Sequence, residues 1–304
     1  MVSILAQMGL LILCGVGWRI IRPGGLDADL VRRVLAALVF NLLMPALILS
    51  VLWKQPVGLD TLRVTAFGLA MIGLGLVSTW LLSRALPLDD RRLGAALLAA
   101  GFPNVTYFGL PLLEQLFGHD ARLIVIQIDL FAATPAVLLL GPVIGRRYGE
   151  GQGGANGLAW LNNPPVWAAL LGVLLNQSAP PAPSWLYHGL DRMAAAAVTL
   201  MLIALGLGLS AAAWQRRNLP WAALVVGLRL LAVPWLAVGL GQRMGFTGDT
   251  LTQLTLEAAM PSMLLGVVYC DRYRLDTGFY AMVVALTTLA AAFSLPYWQT
   301  AATR

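Results

Sequence analysis

Charged residues are scarce in this sequence, and their scarcity decides the class of protein before any motif is considered. Aspartate, glutamate, lysine and arginine make up 11% of the 304 residues, against about 25% in typical soluble domains. Hydrophobic residues make up 59%, and apolar runs of about 18 to 25 residues recur, each long enough to cross a bilayer as a helix. The sequence therefore predicts an all-α, multi-pass integral membrane protein surrounded by the lipid bilayer.

Cysteine and histidine are equally sparse, which excludes several kinds of site. Cys14 and Cys270 fall within or beside apolar runs and form neither a disulfide framework nor a metal site. His119 and His188 are isolated from each other. The sequence lacks HExxH, GxxxxGK and GxSxG motifs, so hydrolytic and nucleotide-driven chemistry lack their usual residues. We therefore expect no enzyme activity and no resident cofactor.

Hydropathy and turn signals predict ten transmembrane helices in two halves. A Gly-rich polar linker at 148–163 separates a first five-helix repeat over 1–147 from a second over 164–304. Shifting the first set of spans by 158 residues brings it onto the second. Because each half has an odd number of spans, the two repeats are inverted in the membrane. The predicted spans lie near 3–21, 30–52, 61–86, 93–117, 123–147, 164–179, 187–212, 219–243, 252–271 and 277–298.

Basic residues predict which side of the membrane each loop faces. Thirteen arginines lie in or beside the loops that follow odd-numbered spans, and six basic residues lie on the opposite face. By the positive-inside rule, the face with thirteen is cytoplasmic. We therefore expect the linker in the cytoplasm and both termini outside, in the inner or plasma membrane of the cell. The net charge of +6 thus has a topological origin, and we expect no nucleic-acid partner.

Two of the predicted spans are interrupted by proline at matching positions. Pro103 interrupts span four and Pro261 interrupts span nine, 158 residues later. Proline lacks an N–H and clashes with the preceding turn, so it frees carbonyl groups near the bilayer centre. Such groups persist in a membrane only where they meet protein partners or line a cavity. Two interrupted spans, one in each half, are the sequence pointer to a transporter's substrate site.

The residues that follow the two prolines suit an anionic ligand. Asn104 and Ser262 are both preferred N-cap residues, so we expect a half-helix to begin at each, with N–H groups that favour a carboxylate. An ordinary proline kink is the simpler interpretation of either break alone, but two breaks in register favour a binding site. Asn41 and Pro45 predict a third irregular point, in span two.

Four ionisable residues are predicted to lie within spans, namely Glu114, Asp129, Arg229 and Glu257. An ionisable residue inside a membrane is by default a functional candidate. Glu257 lies one helical turn before Pro261 and Asp129 about two turns into span five, so either is a candidate proton acceptor or cation ligand. The alternative is a structural pairing of Arg229 with one of the acids.

Oxygen-bearing side chains near Glu257 predict where a coupling cation would bind. Hard cations prefer oxygen ligands, and Glu257, Asn104 and Thr106 supply them. These three residues are the candidate Na⁺ site.

At these residues the sequence resembles the auxin efflux carrier family, which includes plant auxin exporters and bacterial permeases for malate or malonate. The similarity covers nearly the whole chain. It is carried by Phe102-Pro103-Asn104-Val105, Gly109-Leu110-Pro111-Leu112, Ala258-Ala259-Met260-Pro261, Cys270-Asp271-Arg272-Tyr273, Leu295-Pro296 and the Asn41 to Pro45 stretch.

The resemblance implies an elevator-like carrier with a scaffold domain and a mobile transport domain that holds crossed helices four and nine. It places the substrate carboxylate near the proline crossover, with Asn104 as a ligand. A scaffold domain of this kind leaves a homodimer open as the assembly. The expected substrate-binding residues are Asn41, Pro103, Asn104, Thr106, Pro261 and Ser262.

The wider superfamily that the resemblance indicates also contains bile acid–sodium symporters. Their span nine has a sodium-binding glutamate three residues before a methionine, which is similar to Glu257 and Met260 here. The resemblance therefore keeps Na⁺ and H⁺ open as the coupling ion.

These observations together predict a secondary active transporter for a small organic anion, a mono- or dicarboxylate such as malate or malonate. Two alternatives stay open from the sequence. A cation–proton exchanger would use the same broken helices with a nearby acid. A non-transporting membrane sensor would use the same fold to bind a ligand, although the short linker argues against it.

Overall fold

The computed structural model describes residues 2–54, 58–85, 88–150, 164–178, 183–209 and 216–302. The regular secondary structure in these ranges is helical, with no β-strand, which confirms the predicted all-α class. The predicted linker lies outside the described residues from position 151 to 163. In chain order the α-helices are α1 Val2–Ile21, α2 Ala28–Leu38, α3 Met44–Leu52, α4 Leu59–Ala85, α5 Asp90–Gly101, α6 Leu110–Phe117, α7 Ala121–Ile128, α8 Thr134–Tyr148, α9 Pro164–Ser178, α10 Ser184–Gly208, α11 Leu219–Gly227, α12 Val233–Arg243, α13 Gly248–Ala258, α14 Gly266–Arg272 and α15 Thr277–Ala302.

Seven helical segments in the described part of the chain are long and apolar enough to cross a membrane. Predicted spans four and nine are not among them because each is divided into two shorter helices, α5 with α6 and α13 with α14. Predicted span six corresponds to α9, which has 15 residues. The count of ten spans and their inverted repeat therefore stay predictions. The seven segments are Val2–Ile21, Ala28–Leu52, Leu59–Arg84, Ala121–Tyr148, Ser184–Gly208, Leu219–Arg243 and Thr277–Ala302.

Proline shapes the backbone at four places in the described ranges, where a helix widens into a π-helical turn. The turns are Val39–Leu43, Val105–Gly109, Asp129–Ala133 and Leu228–Ala232. Each turn directly precedes a helix whose second residue is proline. Because the proline ring collides with the carbonyl four residues earlier, an extra residue in the preceding turn relieves the clash. The predicted irregular point between Asn41 and Pro45 is confirmed.

The chain divides into two compact units, each assembled from separated segments. The first unit comprises Met1–Leu62, Thr106–Leu130 and Asn156–Leu209, and the second comprises Arg63–Val105, Phe131–Ala155 and Ser210–Arg304. Each unit thus takes segments from both predicted repeats. The repeat boundaries at 147 and 164 concern the linear sequence, and they stay a prediction.

In the first unit, α10 packs against α1, α2 and α3, while α9 packs against α3 and α6 against α7. Glycines allow α1 and α10 to approach closely, since a Cβ added at Gly206 would overlap the Ile12 carbonyl oxygen. The helix α2 begins at Asp27, whose carboxylate accepts hydrogen bonds from the main-chain N–H groups of Asp29 and Leu30, both at 3.0 Å. The hydrogen bond from the Leu30 N–H is the main cause that lowers the pKa of Asp27. The cap therefore persists at neutral pH and is lost as the pH falls through the lowered pKa of this carboxyl group.

In the second unit, α15 packs against α5, α11, α13 and α14, and α8 packs against α5 and α14. Two tyrosines of the α14 region fit against glycines of α8, because Cβ atoms at Gly141 and Gly145 would overlap the rings of Tyr269 and Tyr273. The most completely buried stretches are 93–106 and 251–262, in which every residue is buried. These stretches contain both proline breaks.

Candidate functional site at the paired helix breaks

The two proline breaks meet inside the second unit and satisfy each other's main-chain groups. The N–H of Asn104 donates to the carbonyl of Pro261 at 2.8 Å, and the N–H of Met263 donates to the carbonyl of Phe102 at 2.9 Å. Pro103 lies opposite Ser262 in an isolated antiparallel bridge. Main-chain groups that lie in the two helix breaks are thus paired with each other, as a medium without water requires.

Arg229 binds the C-terminal ends of both helices that precede the breaks, α5 and α13. Its side chain is completely buried, and its Nε and Nη2 atoms donate to the carbonyls of Met260 at 2.9 Å and Ala258 at 2.8 Å. Its Nη1 atom donates to the carbonyl of Ala100 at 3.3 Å. Carbonyls at a helix C-terminus carry partial negative charge. One guanidinium therefore offsets this charge at the end of α5 and at the end of α13.

Glu257 lies in the last turn of α13 and is also completely buried. Its carboxylate interacts electrostatically with Arg229. Of the acids predicted to lie within spans, Glu257 is thus the one that shares the second unit with this arginine. The guanidinium nevertheless donates three hydrogen bonds to main-chain carbonyls, so Arg229 does more than neutralise an acid.

Several buried polar side chains around the breaks have unused hydrogen-bonding capacity. Asn104 is 2% exposed and Ser262 is fully buried, yet Asn104 Nδ2 and Ser262 Oγ have no hydrogen-bond partner among the described residues. The same holds for Gln253 Oε1 and Thr255 Oγ1 on α13. An unsatisfied buried polar group costs about 1–3 kcal/mol. Such a concentration of unsatisfied groups marks a candidate ligand site.

The structure corrects the expectation that Ser262 caps a helix. The next helix, α14, begins four residues later at Gly266, and its N-cap position is Leu265. The intervening backbone is held away from helical geometry, because the N–H of Ser262 donates to Thr287 Oγ1 at 3.1 Å and the N–H of Met263 donates across the break. The expectation that a half-helix begins at Ser262 is therefore wrong, whereas the turn Val105–Gly109 begins directly after Asn104. The main-chain N–H groups of Asn104 and Ser262 themselves are both paired. What these two residues offer a ligand is their side chains.

Three other predicted site residues belong to the first unit. Asn41 is exposed, and its Nδ2 donates to the Ala37 carbonyl of its own helix at 2.8 Å. Thr106 is buried, and its Oγ1 has no hydrogen-bond partner within the described ranges. Asp129 is half-buried and interacts electrostatically with Tyr107. The structure thus brings Pro103, Asn104, Pro261 and Ser262 together in the second unit, with Glu257 on the helix that leads into the break.

Glu114, the remaining acid predicted to lie within a span, forms an ion-pair network in the first unit. Its Oε1 atom accepts a hydrogen bond from Arg122, which is 3% exposed, and lies 3.0 Å from His119 Nδ1. Arg122 also donates to Asp191 Oδ1 at 2.8 Å. Glu114 and His119 line a cavity of about 300 Å³ together with Pro111 and Gln115. This network gives Glu114 a structural role.

Sequence reasoning missed two residues that hold the breaks in place. Thr287 of α15 accepts the Ser262 N–H, and the hydroxyl of Tyr280 donates to the Met263 carbonyl. The sequence feature that could have indicated Thr287 is the pair of threonines, Thr287 and Thr288, in an otherwise apolar span. Tyr280 had no such feature, because tyrosine is common in membrane helices.

Membrane-length apolar helices and two proline breaks that meet in a buried polar centre define the class, a multi-pass membrane protein with a candidate site in its interior. The chain belongs to the auxin efflux carrier family, since the family model described as "Membrane transport protein" matches residues 3–146 and 157–299. This confirms the resemblance found in the sequence, and it favours a transporter over an enzyme.

Two curated relatives support the same family. An uncharacterized transporter of Methanothermobacter thermautotrophicus is 31% identical over 279 residues, which cover 90% of this chain and 88% of the relative. An uncharacterized transporter of Methanocaldococcus jannaschii is 25% identical over 274 residues, which cover 88% of each chain.

Proposed function

We propose that the protein is a secondary active carrier for a small organic anion, a mono- or dicarboxylate such as malate or malonate. The observation that carries this proposal is the buried pair of Asn104 Nδ2 and Ser262 Oγ, both unsatisfied within the described chain and joined by the main-chain bond from Asn104 to Pro261. An amide N–H and a hydroxyl both donate hydrogen bonds, and a carboxylate accepts them. Pro103 and Pro261 shape this site by breaking the helices.

The charges of the second unit support an anionic substrate. The guanidinium of Arg229 lies on the carbonyls that precede both breaks, so its positive charge is close to the two binding side chains. A buried charge acts strongly at short range because the protein interior screens it less than water does. Hydrogen bonds between a neutral donor and a charged acceptor are also the stronger kind.

Alternating access of the elevator type is the proposed transport mechanism. The proposal includes ten spans in two inverted repeats, with both termini on the extracytoplasmic side of the inner or plasma membrane. The proposal assigns the first unit to the scaffold and the second, which contains both breaks, to the moving transport domain. A homodimer formed through the scaffold is the proposed assembly.

Uptake by proteoliposomes tests the substrate site. We expect labelled mono- or dicarboxylates to enter, and Asn104→Ala to reduce the initial rate at least about tenfold, because a lost hydrogen bond to a charged group costs about 1.5–3 kcal/mol. Ser262→Ala should act in the same direction. Ser294→Ala is the matched control, since Ser294 Oγ in α15 is also buried without a partner in the described structure. Unchanged uptake in Asn104→Ala would refute the site.

Coupling is proposed to occur at Glu257, with Na⁺ or H⁺ as the ion and Asp129 as the second candidate. The buried carboxylate of Glu257 supplies an anionic oxygen ligand on the helix that leads into the break, and Asn104 supplies a second oxygen. We expect Glu257→Gln to remove the dependence of uptake on Na⁺ or pH, because the amide neither binds a proton nor carries the charge. Asp129→Asn serves as the parallel variant. If Glu257→Gln keeps the full ion dependence, coupling lies elsewhere.

The complete burial of Glu257 between broken helices also favours a second candidate, a cation–proton exchanger. Proteoliposomes that contain a pH-sensitive dye separate the two functions. An exchanger changes the internal pH when Na⁺ is added without any organic anion, whereas the proposed carrier responds to Na⁺ or H⁺ gradients only when the anion is present.

A further inference from the structure

We propose that Arg229 is the positioning residue of the crossover, by which we mean residues 100–104 and 258–263. Its guanidinium fixes the end of α5 against the end of α13 and so sets the placement of Asn104 and Ser262. This inference deepens the proposed function, because it concerns the same binding site. Its structural part is tested without any substrate.

The hydrogen bonds of Arg229 reach both halves of the crossover. Two of them hold Ala258 and Met260, which precede Pro261, and the third holds Ala100, which precedes Pro103. A guanidinium is planar and presents its donors in a rigid fork. Three acceptors bound to one rigid group are fixed relative to one another. The arginine therefore couples two segments that the chain itself separates by more than 150 residues.

The backbone that carries Arg229 is itself anchored. Arg229 lies in the π-helical turn Leu228–Ala232, and the indole N–H of Trp298 in α15 donates to the Leu230 carbonyl of that turn at 2.7 Å. Pro234 has no N–H to donate to the Leu230 carbonyl four residues earlier, and the Trp298 hydrogen bond satisfies this carbonyl. Trp298 of α15 therefore anchors the turn that carries Arg229, and the guanidinium of Arg229 binds the crossover.

A structural ion pair alone does not account for this arrangement. An arginine inside a membrane is costly, and a carboxylate pair is the usual way to offset that cost. Arg122 follows this pattern with Glu114 and Asp191. Arg229 instead donates its hydrogen bonds to main-chain carbonyls at the two helix breaks. Geometry at the breaks is what these bonds control.

Hydrogen–deuterium exchange of the purified protein in lipid nanodiscs tests the positioning role. The reporters are peptides that cover the two parts of the crossover, whose Asn104 and Met263 amides donate across the breaks. We expect Arg229→Lys to speed exchange in both peptides by about tenfold, because a lysine ammonium cannot reproduce the three-way fork. Arg122→Lys is the control and should leave both peptides unchanged. Unchanged exchange in Arg229→Lys, or a change in the 258–263 peptide alone, would overturn the proposal.

Transport kinetics supply a second readout. We expect the KM for the anion to rise about tenfold in Arg229→Lys, corresponding to a displacement of the binding side chains, whereas Arg122→Lys should leave KM within about twofold of the wild type. A purely structural arginine would reduce the amount of folded protein without changing the KM of what remains. If the wild type carries no organic anion, the proposed function fails, and the exchange experiment still decides whether Arg229 positions the crossover.

A second variant keeps the inference testable if Arg229→Lys does not fold. Trp298→Phe removes the hydrogen bond to the Leu230 carbonyl but leaves the guanidinium in place. We expect a smaller acceleration of exchange, about threefold, in both crossover peptides. Equal exchange in Trp298→Phe and wild type would count against the anchored arginine.

Discussion

Asn104→Asp is expected to abolish organic-anion uptake, with a loss of at least about 100-fold that exceeds the loss in Asn104→Ala, because like charges placed together at a binding site cost several kcal/mol. The substitution keeps the shape of the side chain and changes only its chemistry. It replaces the unsatisfied Nδ2 donor with a carboxylate oxygen that repels the substrate carboxylate. Initial uptake rates measured in proteoliposomes over a range of pH test this expectation.

The pH series adds a diagnostic within the same variant. Uptake should partly recover in acidic buffer, because a protonated carboxyl group donates a hydrogen bond as the amide does. Asn176→Asp is the control, since Asn176 lies in the first unit and its Nδ2 donates to the Trp53 carbonyl at 2.9 Å. If Asn104→Asp takes up the anion at the wild-type rate at neutral pH, the anion binds elsewhere.

Gly75→Ala is expected to destabilise the protein by about 1–3 kcal/mol or more, the cost of overpacking a close-packed interior. A Cβ at Gly75 would overlap the Ala100 carbonyl oxygen and lie 3.0 Å from the Cα of Gly101. Both contacts are with main chain, which cannot rotate away as a side chain can. The Ala100 carbonyl also accepts a hydrogen bond from Arg229, so uptake should fall together with stability.

Gly73→Ala provides a control in the same helix, two residues away. A Cβ at Gly73 meets no atom within 4 Å in the parts of the chain that the structure describes. Replacing glycine by alanine in a helix otherwise gains about 1 kcal/mol, so this variant should unfold at the wild-type temperature or slightly above it. Thermal unfolding in detergent, followed by tryptophan fluorescence, compares the two. Equal unfolding temperatures for both variants would contradict the close approach of α4 and α5.

Features set by local chemistry were predictable from the sequence. Apolar length predicted the seven continuous membrane-length helices, and proline predicted the breaks at Pro103 and Pro261. The rule behind the irregular point before Pro45 applies equally to Pro111, Pro135 and Pro234, each preceded by a π-helical turn. Those three turns could therefore have been predicted from the sequence.

Features set by tertiary contacts were not predictable. Ser262 was expected to cap a helix because serine is a preferred N-cap residue, but the pairing of Met263 with Phe102 keeps the backbone out of a helix there. Arg229 was recognised as embedded, yet its acceptors are carbonyls on segments far away in the chain. Gly75 looked like any other glycine in an apolar helix, since only the neighbouring α5 backbone makes it necessary.

The mutual pairing of the two breaks has a consequence for how the chain is made. The Phe102 carbonyl accepts the Met263 N–H and the Asn104 N–H donates to the Pro261 carbonyl, and the ribosome adds these two partners about 160 residues later. Until then, the first break enters the membrane with main-chain groups that lipid cannot satisfy. These two groups therefore lack their native partners while the ribosome adds about half of the chain, and the crossover cannot assemble before Met263 has been synthesised.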